Sequence, residues 1–356
     1  AKMSLVAAVA VAGLTNVSAS SLEDAVKNTE VSGKVYVEFL NLSTNTTGGS
    51  SAGQTDLDFD VTFSSKVNDN VTSVITLESD TAYGEAAATA DSAVNLDTIK
   101  FVYTKNALTA TAGRFSSVSP TMDGSKMEGV NATYNAGAAT LFGAYAINNA
   151  TTLGDFGEVS VSGTVADVNL AAWYSSYSFD SAGTDMGKTM TLVAGTSFEG
   201  VNLSARYSKT DYVASGTEDG STFRFDASTD VSGVTLAGTY VATDKDGGQS
   251  AVDDNAAANA WELSQMNLGS LSTTNDVSVW SLSATMPVET MTYQVAYASM
   301  EADTANDDAT ELRFRATHAM SSNFSVMATY SMYQEDNAGV EAADQDSSRI
   351  EFKYTF

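Results

Sequence analysis

The feature that most constrains this chain is a strict alternation of apolar and polar side chains, in stretches of about ten residues. Residues 56–63, for example, read Asp-Leu-Asp-Phe-Asp-Val-Thr-Phe. Successive side chains on a β-strand point to opposite faces, so this stretch predicts a strand with one apolar and one strongly polar face. The same alternation recurs in residues 223–227, 312–316 and 350–356. An all-β fold whose two surfaces meet different environments is therefore expected.

Short turns and long polar loops alternate along the chain. The short turns are built from Gly, Asn, Asp and Ser, which tight hairpins prefer, and the longer loops are rich in Asp, Glu, Gly, Ser and Thr. This rhythm predicts about eighteen strands. Their expected bounds are 31–41, 55–67, 71–80, 95–104, 107–115, 127–135, 138–147, 157–166, 168–179, 189–198, 201–211, 221–231, 234–243, 277–288, 290–300, 309–319, 323–334 and 347–356.

Short turns at one end and long loops at the other are typical of a transmembrane antiparallel β-barrel, with the turns in the periplasm and the loops outside. Closure matters because hydrocarbon offers no partner to a free backbone N–H or C=O group. Two rings of aromatic side chains are also expected at headgroup depth, although strands are generally rich in aromatics. The ring toward the long loops comprises Phe39, Tyr145, Tyr177, Tyr207, Tyr240, Tyr297 and Tyr330.

The first residues predict an export signal. Residues 1–19 contain one lysine, an apolar run over 5–14 and small residues near 17–20, which together are typical of a secretory signal peptide with a truncated start. A buried helix or membrane anchor is the alternative, but the run is shorter than the roughly 20 apolar residues that span a bilayer. Residues 20–356 are then expected to form a single β-barrel domain.

Composition excludes several classes of function. The 356 residues include no Cys and one His, and the net charge is −27. A thiol nucleophile, a disulfide framework and a multi-histidine metal site are therefore excluded. The acidic balance argues against nucleic-acid binding through a basic surface. No phosphate-binding glycine loop is present, and the single histidine offers little for Ser–His catalysis, so we do not predict an enzyme.

Charged residues on the polar phases of the strands are predicted to line a pore. An arginine that faces lipid costs about 2–4 kcal/mol near the midplane, so inward positions are favoured for Arg206, Arg224, Arg313, Arg315 and Arg349. Acidic residues on other strands are expected opposite them, namely Asp56, Asp58, Asp60, Glu38 and Glu78. Such walls would create a transverse field that selects among solutes. The alternative is that these charges pair with one another and have no effect on which solutes pass.

Arg114 does not fit this scheme, because it shares the phase of Leu108, Ala110 and Ala112. Either a bulge near Gly113 reverses the phase, or the strand has left the membrane at that point.

Two loops are candidates for narrowing so wide a barrel. An in-folded loop near 116–127 contains Pro120, Asp123 and Lys126, of which Asp123 and Lys126 are the predicted constriction residues. The alternative is that Pro120 only shapes a surface turn. A longer loop near 244–276 contains a short helical pattern over 255–266. It could fold into the vestibule, pack against a neighbouring subunit or cap the rim.

Carboxylates crowd the outer loops. Hard divalent cations such as Ca2+ bind to several oxygen ligands, which makes Asp253, Asp254, Asp307 and Asp308 weak candidates for a cation site. No sequence matches an EF-hand loop, so a solvated acidic surface is the favoured interpretation and no other cofactor is predicted.

Three segments carry a resemblance to a known family. The C-terminal stretch 350–356 resembles the terminal strand of Gram-negative porins, which ends in Phe with aromatics at alternate positions. Residues 21–33 are similar to the mature start of the major outer membrane porins of the Campylobacter group, and Pro120–Ser125 resembles their third loop. The resemblance implies an eighteen-stranded general porin that is usually trimeric.

Together these patterns predict a general diffusion porin in the outer membrane of a Gram-negative bacterium. It would pass ions and small hydrophilic solutes, with membrane lipid and two further copies of the chain as partners. A substrate-specific outer-membrane channel is the nearest alternative. A secreted all-β surface-layer or adhesin protein and an outer-membrane enzyme built on a barrel are the more distant ones.

Overall fold

The computed structural model shows a closed antiparallel barrel of eighteen strands, as predicted. The structure describes residues 28–44, 51–84, 94–118, 120, 126–149, 155–178, 185–213, 218–246, 276–302, 307–337 and 340–356. The strands are β1 Thr29–Thr44, β2 Ser51–Asn68, β3 Val71–Gly84, β4 Asn95–Lys105, β5 Leu108–Ser116, β6 Lys126–Asn135, β7 Ala139–Asn149, β8 Phe156–Val165, β9 Val168–Ser178, β10 Asp185–Phe198, β11 Val201–Tyr212, β12 Gly220–Val231, β13 Val234–Thr243, β14 Val277–Val288, β15 Met291–Ala302, β16 Asp307–Ala319, β17 Phe324–Asn337 and β18 Val340–Thr355.

Every strand pairs with its neighbours in the chain, and β1 also pairs with β18 to close the sheet. Within the described residues, no helix has the length and apolar character needed to cross a membrane. The predicted signal peptide, residues 1–19, lies outside the described part of the chain.

Tight turns connect the strands at one end of the barrel. At 166–167, 199–200 and 232–233 both turn residues have positive φ, between 47° and 84°. Paired left-handed residues form the type I′ turn, whose twist matches that of two antiparallel strands. Glycine at the second place of two of these turns adopts this backbone without strain. The longer connections leave from the opposite end, as predicted, except that only residues 338–339 join β17 to β18 there.

The alternation of side chains sorts them between lipid and lumen. On β1, Val35 and Phe39 face outward and are 43% and 49% exposed, whereas Glu38 faces inward and is 5% exposed. The pairing of β5 with β4 and β6 proceeds without a register shift at Gly113. No bulge therefore reverses the phase, and Arg114 stays on the outer face opposite Ile99.

A ring of tyrosines marks the outer side of the barrel toward the long loops. Tyrosine is the seventh residue of six strands, all of which leave short turns, and each ring is exposed on the outer face. They are Tyr145 of β7, Tyr174 of β9, Tyr207 of β11, Tyr240 of β13, Tyr297 of β15 and Tyr330 of β17. On β9 the residue that occupies this place is Tyr174, whereas the side chain of Tyr177 lies outside the described part of the structure.

The barrel closes where the C-terminal residue meets the first strand. The Gly33 amide donates to the Phe356 carbonyl at 2.9 Å, and the Phe356 amide donates to the Gly33 carbonyl at 3.1 Å. A Cβ atom on Gly33 would lie 2.2 Å from the Asp60 carbonyl oxygen and 2.8 Å from the Phe356 ring. The absence of a side chain at Gly33 thus lets three segments of backbone approach closely.

We predict that Gly33→Ala lowers the free energy of barrel unfolding by about 1–3 kcal/mol, as expected for overpacking. The thermal midpoint of unfolding falls accordingly. The loss of the compact band on unheated denaturing gels, followed against temperature, measures the effect. Gly53→Ala is the matched control, because nothing lies within 4 Å of a Cβ at that position. Equal midpoints for the two variants would contradict the prediction.

Candidate functional site: charged walls inside the barrel

Carboxylates cover the inner surface of β2 and β3. The strand register aligns Lys34 of β1 with Asp60 of β2, and Asp60 in turn with Glu78 of β3. The Lys34 ammonium lies 3.0 Å from Asp60 and 3.6 Å from Asp58, so one cation serves two carboxylates. We call Asp56, Asp58, Asp60 and Glu78 the acidic wall. The structure therefore brings together the predicted acidic residues of these two strands.

Lys126 lies at the base of the third long loop. Its ammonium is 2.8 Å from the Asp97 carboxylate of β4 and donates to the Ser116 hydroxyl at 2.9 Å. These bonds tie the two ends of the loop to the neighbouring strand. Lys126 therefore anchors the loop, and its partner Asp97 was not identified from the sequence. Asp123, the other predicted constriction residue of this loop, lies outside the described residues.

Arginines line the inner surface on the other side of the barrel. Arg206 of β11 and Arg224 of β12 are direct cross-strand partners, an arrangement that repels unless it is compensated. Compensation comes from Asp226, which accepts from the Arg224 Nε and Nη2 atoms at 2.8–3.0 Å. Thr239 also donates to Asp226 at 2.9 Å. The carboxylate is thus held in place beside two guanidinium groups.

Arg313 and Arg315 continue this lining on β16. Arg313 Nη2 donates to the Gln294 Oε1 atom at 3.1 Å, and Gln294 stands opposite Arg315 in the register. Together with Arg224 and Asp226, these three residues line a cavity of about 520 Å3 against the barrel wall. We call Arg206, Arg224, Arg313 and Arg315 the basic wall.

Arg349 differs from the expected arrangement. It was predicted to face acidic residues across the lumen, but its Nη1 atom lies 3.0 Å from Glu38 Oε2 on the adjacent strand. Closure pairs β18 with β1 and thereby brings together two residues from opposite ends of the chain. Arg349 therefore neutralises a buried carboxylate at the seam.

The acidic wall lies across the barrel from the part of the basic wall that β11 and β12 carry. In a ring of eighteen strands, strands nine apart are diametrically opposite, so β2 faces β11 and β3 faces β12. The acidic wall consequently looks toward Arg206 and Arg224. Charges of opposite sign on opposite sides of a lumen create a field that crosses the path of a solute.

An aromatic pair also lies on the inner surface. Phe142 of β7 and Trp173 of β9 both align with Ser160 of β8, and their ring centroids are 5.5 Å apart. A second pair, Trp280 and Tyr297, has centroids 5.3 Å apart but lies on the outer face. Sequence reasoning did not single out Trp173, although it shares its strand phase with Asn169 and Ser175.

The suggested divalent-cation site gains no support. Asp307 and Asp308 open β16, where Asp308 pairs with Asp336 and Glu301 in the register. Across the described residues, no group of three or more His, Asp or Glu side chains is arranged to hold a metal ion. Asp253 and Asp254 lie outside the part of the chain that the structure describes.

Comparison with known proteins identifies the family. The sequence profile of the Gram-negative porins matches residues 4–338. The chain belongs to the Gram-negative porin family. No curated protein matches its sequence. Membership places this porin in the outer membrane of a Gram-negative bacterium and favours a channel over a secreted adhesin or an enzyme.

Solved structures with the same fold come from Pseudomonas aeruginosa. OccK3 (OpdO) is 12% identical with a TM-score of 0.72, and the alignment covers 94% of this porin and 97% of that chain. OpdQ is 13% identical with a TM-score of 0.70, over 92% and 99% of the two chains. OpdK, solved with vanillate, is 11% identical with a TM-score of 0.70, over 93% and 99%. At this identity the similarity concerns the fold alone.

We predict that Arg349→Met destabilises the barrel by about 1–3 kcal/mol, because it leaves the buried Glu38 carboxylate without its counter-charge. The double variant Glu38→Gln with Arg349→Met should recover most of the loss. Thermal unfolding in detergent measures both. Lys245→Met is the control, since the Lys245–Asp246 pair is exposed and its loss should leave the midpoint unchanged. If the double variant is destabilised by the sum of the effects of Glu38→Gln and Arg349→Met alone, the pairing is refuted.

Proposed function

We propose that this porin is a general diffusion channel that passes ions and small hydrophilic solutes down their gradients. The observation that carries the proposal is the pair of opposed charged walls on the inner surface of an eighteen-stranded barrel. A barrel of this size is wide enough for an aqueous path. Selectivity would follow from the charges along that path rather than from any covalent step.

The field between the walls supports discrimination by charge and polarity. Water and polar solutes align their dipoles across such a field, whereas apolar solutes must displace aligned water and are disfavoured. The overall charge of −27 favours cations at the mouth. The basic wall opposes this preference locally, so both walls set the ratio of cation to anion permeability.

We predict opposite changes in ion selectivity when one residue of each wall is neutralised. Asp60→Asn should lower the ratio of potassium to chloride permeability, and Arg315→Gln should raise it, each by about twofold. Reversal potentials in planar bilayers under a KCl gradient measure the ratio. A purified protein that inserts but opens no ohmic pore would overturn the channel proposal. If both variants give the same reversal potential as the unmodified porin, only the role of the two walls in selectivity is overturned.

A substrate-specific channel is the second candidate. The Phe142–Trp173 pair gives the inner surface an aromatic platform, and strands nine apart set β7 opposite β16 and β9 opposite β18. A solute with a ring could stack on this platform, and the basic side chains across the lumen would attract it there when it also carries an anionic group. The OpdK structure with vanillate gives a probe of this chemistry.

Vanillate entry separates the two candidates. In a specific channel we expect its flux into porin-containing vesicles to saturate, and Trp173→Ala to make the flux linear in concentration. Trp280→Ala is the matched control, because the same ring is removed from the outer face. A flux that is linear in the unmodified porin would favour general diffusion.

Three further features belong to this proposal. The resemblance to the major outer membrane porins of the Campylobacter group supports a trimer of identical chains. Residues 1–19 would be removed during export, leaving one barrel domain over 20–356. An in-folded loop near 116–127 would narrow the lumen, with Lys126 anchoring it and Asp123 directed to the pore.

A further inference from the structure

A row of charged side chains links β1 to β6. It begins with Lys34 of β1, whose ammonium lies 3.0 Å from Asp60 of β2. The register sets Asp60 opposite Glu78 of β3, and Glu78 is hydrogen-bonded to Asp97 of β4. The row ends at Lys126 of β6, whose ammonium lies 2.8 Å from Asp97. The two outer carboxylates therefore each contact a lysine, and Glu78 lies between them.

A β-bulge places Asp97 in this row. Leu96 and Thr98 are aligned with successive residues of β3, so Asp97 is an additional residue in β4. Leu96 is 42% exposed on the outer face and Thr98 is buried. By simple alternation Asp97 would point outward, away from Thr98. Its hydrogen bond to Glu78, which faces inward opposite Asp60, indicates that the bulge turns the Asp97 carboxyl group toward the lumen side.

The contact between Glu78 and Asp97 requires a proton. Two hydrogen-bonded carboxyl groups hold at least one proton between them, because a carboxylate only accepts. Asp97 is the ionised member, since its Oδ2 atom accepts from the Lys126 ammonium at 2.8 Å and from the Thr98 hydroxyl at 3.1 Å. The proton therefore resides on Glu78, which donates it to Asp97.

Ionisation of Glu78 is opposed from both sides. Asp60 and Asp97 flank its half-buried side chain, and each is kept ionised by its lysine. A carboxyl group between two carboxylates keeps its proton more readily than an isolated one. Among the salt bridges of the described residues, none includes Glu78. Glu78 is thus the member of the row whose charge is not fixed by a cation.

The other charged groups nearby do not relieve Glu78. Asp58 of β2 uses the same lysine as Asp60, because it lies 3.6 Å from the Lys34 ammonium. Lys100 of β4 is aligned four residues nearer the short turn than Glu78. The four carboxyl groups of this part of the wall therefore contact two lysines in total, and one of the four can remain neutral.

We infer that Glu78 and Asp97 share one proton, and that loss of this proton to the water of the lumen strengthens the preference of the porin for cations as the pH rises. With the proton bound, the pair carries one negative charge, and without it the pair carries two. The added charge belongs to the acidic wall. This inference rests on the proposed channel, and it names Glu78 as the selectivity residue whose charge depends on pH.

Reversal potentials under a KCl gradient, measured in planar bilayers at several pH values, test the inference. The range from about pH 5 to about pH 8 is suitable, because an isolated Asp or Glu titrates at about 4 and is already ionised there. We expect the ratio of potassium to chloride permeability to rise by about twofold across this range. Glu78→Gln should hold the ratio at its low-pH value, because glutamine still donates to Asp97 and does not ionise.

Asp56→Asn is the matched control. Asp56 belongs to the same wall, but its carboxylate accepts from the Gln54 amide at 2.7 and 2.9 Å, which favours the ionised form. This variant should lower the permeability ratio at every pH and keep the rise with pH. The inference is overturned if the ratio of the unmodified porin does not change with pH, or if Glu78→Gln shows the same rise.

Infrared difference spectra give a second readout that does not depend on conduction. Between the two ends of the same pH range, the unmodified porin should lose the absorption of a protonated carboxyl group, and Glu78→Gln should lack this change. A purified protein that opens no ohmic pore overturns the proposed function, whereas its infrared spectrum still decides whether the proton is present. Absence of the infrared change overturns the inference alone.

Lys126→Met tests the coupling between the two carboxyl groups and leaves Glu78 in place. Asp97 then loses the cation that keeps it ionised, so the shared proton is held more tightly and the rise in permeability ratio should move to higher pH. This variant also serves if Glu78→Gln fails to assemble. An unchanged pH profile would show that Asp97 does not share the proton, and would overturn the inference.

Discussion

The structure depends on one constraint, which is that hydrocarbon offers nothing to a backbone N–H or C=O group. A sheet can meet it only by closing on itself. Here closure falls between Gly33 and the C-terminal Phe356, whose backbones exchange two hydrogen bonds. The small residue and the terminal aromatic belong to the same joint, because the ring of Phe356 lies over the space that a side chain on Gly33 would fill. Everything that lines the lumen is positioned relative to this seam.

Alternation along the sequence was sufficient to predict the strands where one face meets lipid and the other meets water. β13 and β14 match their predicted bounds, and the short turns fall at the predicted places. The predictions fail at the opposite ends, where β10 begins at Asp185 rather than 189 and β18 at Val340 rather than 347. These extensions lie beyond the apolar band. Without lipid on one side, alternation loses its contrast, and only pairing with a neighbouring strand reveals the extra length.

The phases of the strands predicted which charged residues face inward, but not their partners. Arg349 and Glu38 pair through closure of the barrel, a contact between chain ends that no local pattern records. Gln294 and Asp97 were overlooked because their arginine and lysine partners lie on other strands and only the fold brings them together. Asp226 is different, because it lies two residues from Arg224 on the same face of β12, a spacing from which the pair could have been predicted.

Lipid and water impose opposite demands on the same side chains, so a residue on the unexpected face carries information. Trp173 is an aromatic residue on the inner surface, whereas Arg114 is a charged residue on the outer one. The register assigns both faces without a bulge at either residue. An arginine tolerates headgroup depth at little cost, so energy alone does not explain Arg114. The sharper observation is that tyrosine holds the equivalent place in six other strands. Because Arg114 stands where six other strands have tyrosine, its surroundings differ from theirs. This comparison is stronger evidence than the small cost of placing an arginine at headgroup depth.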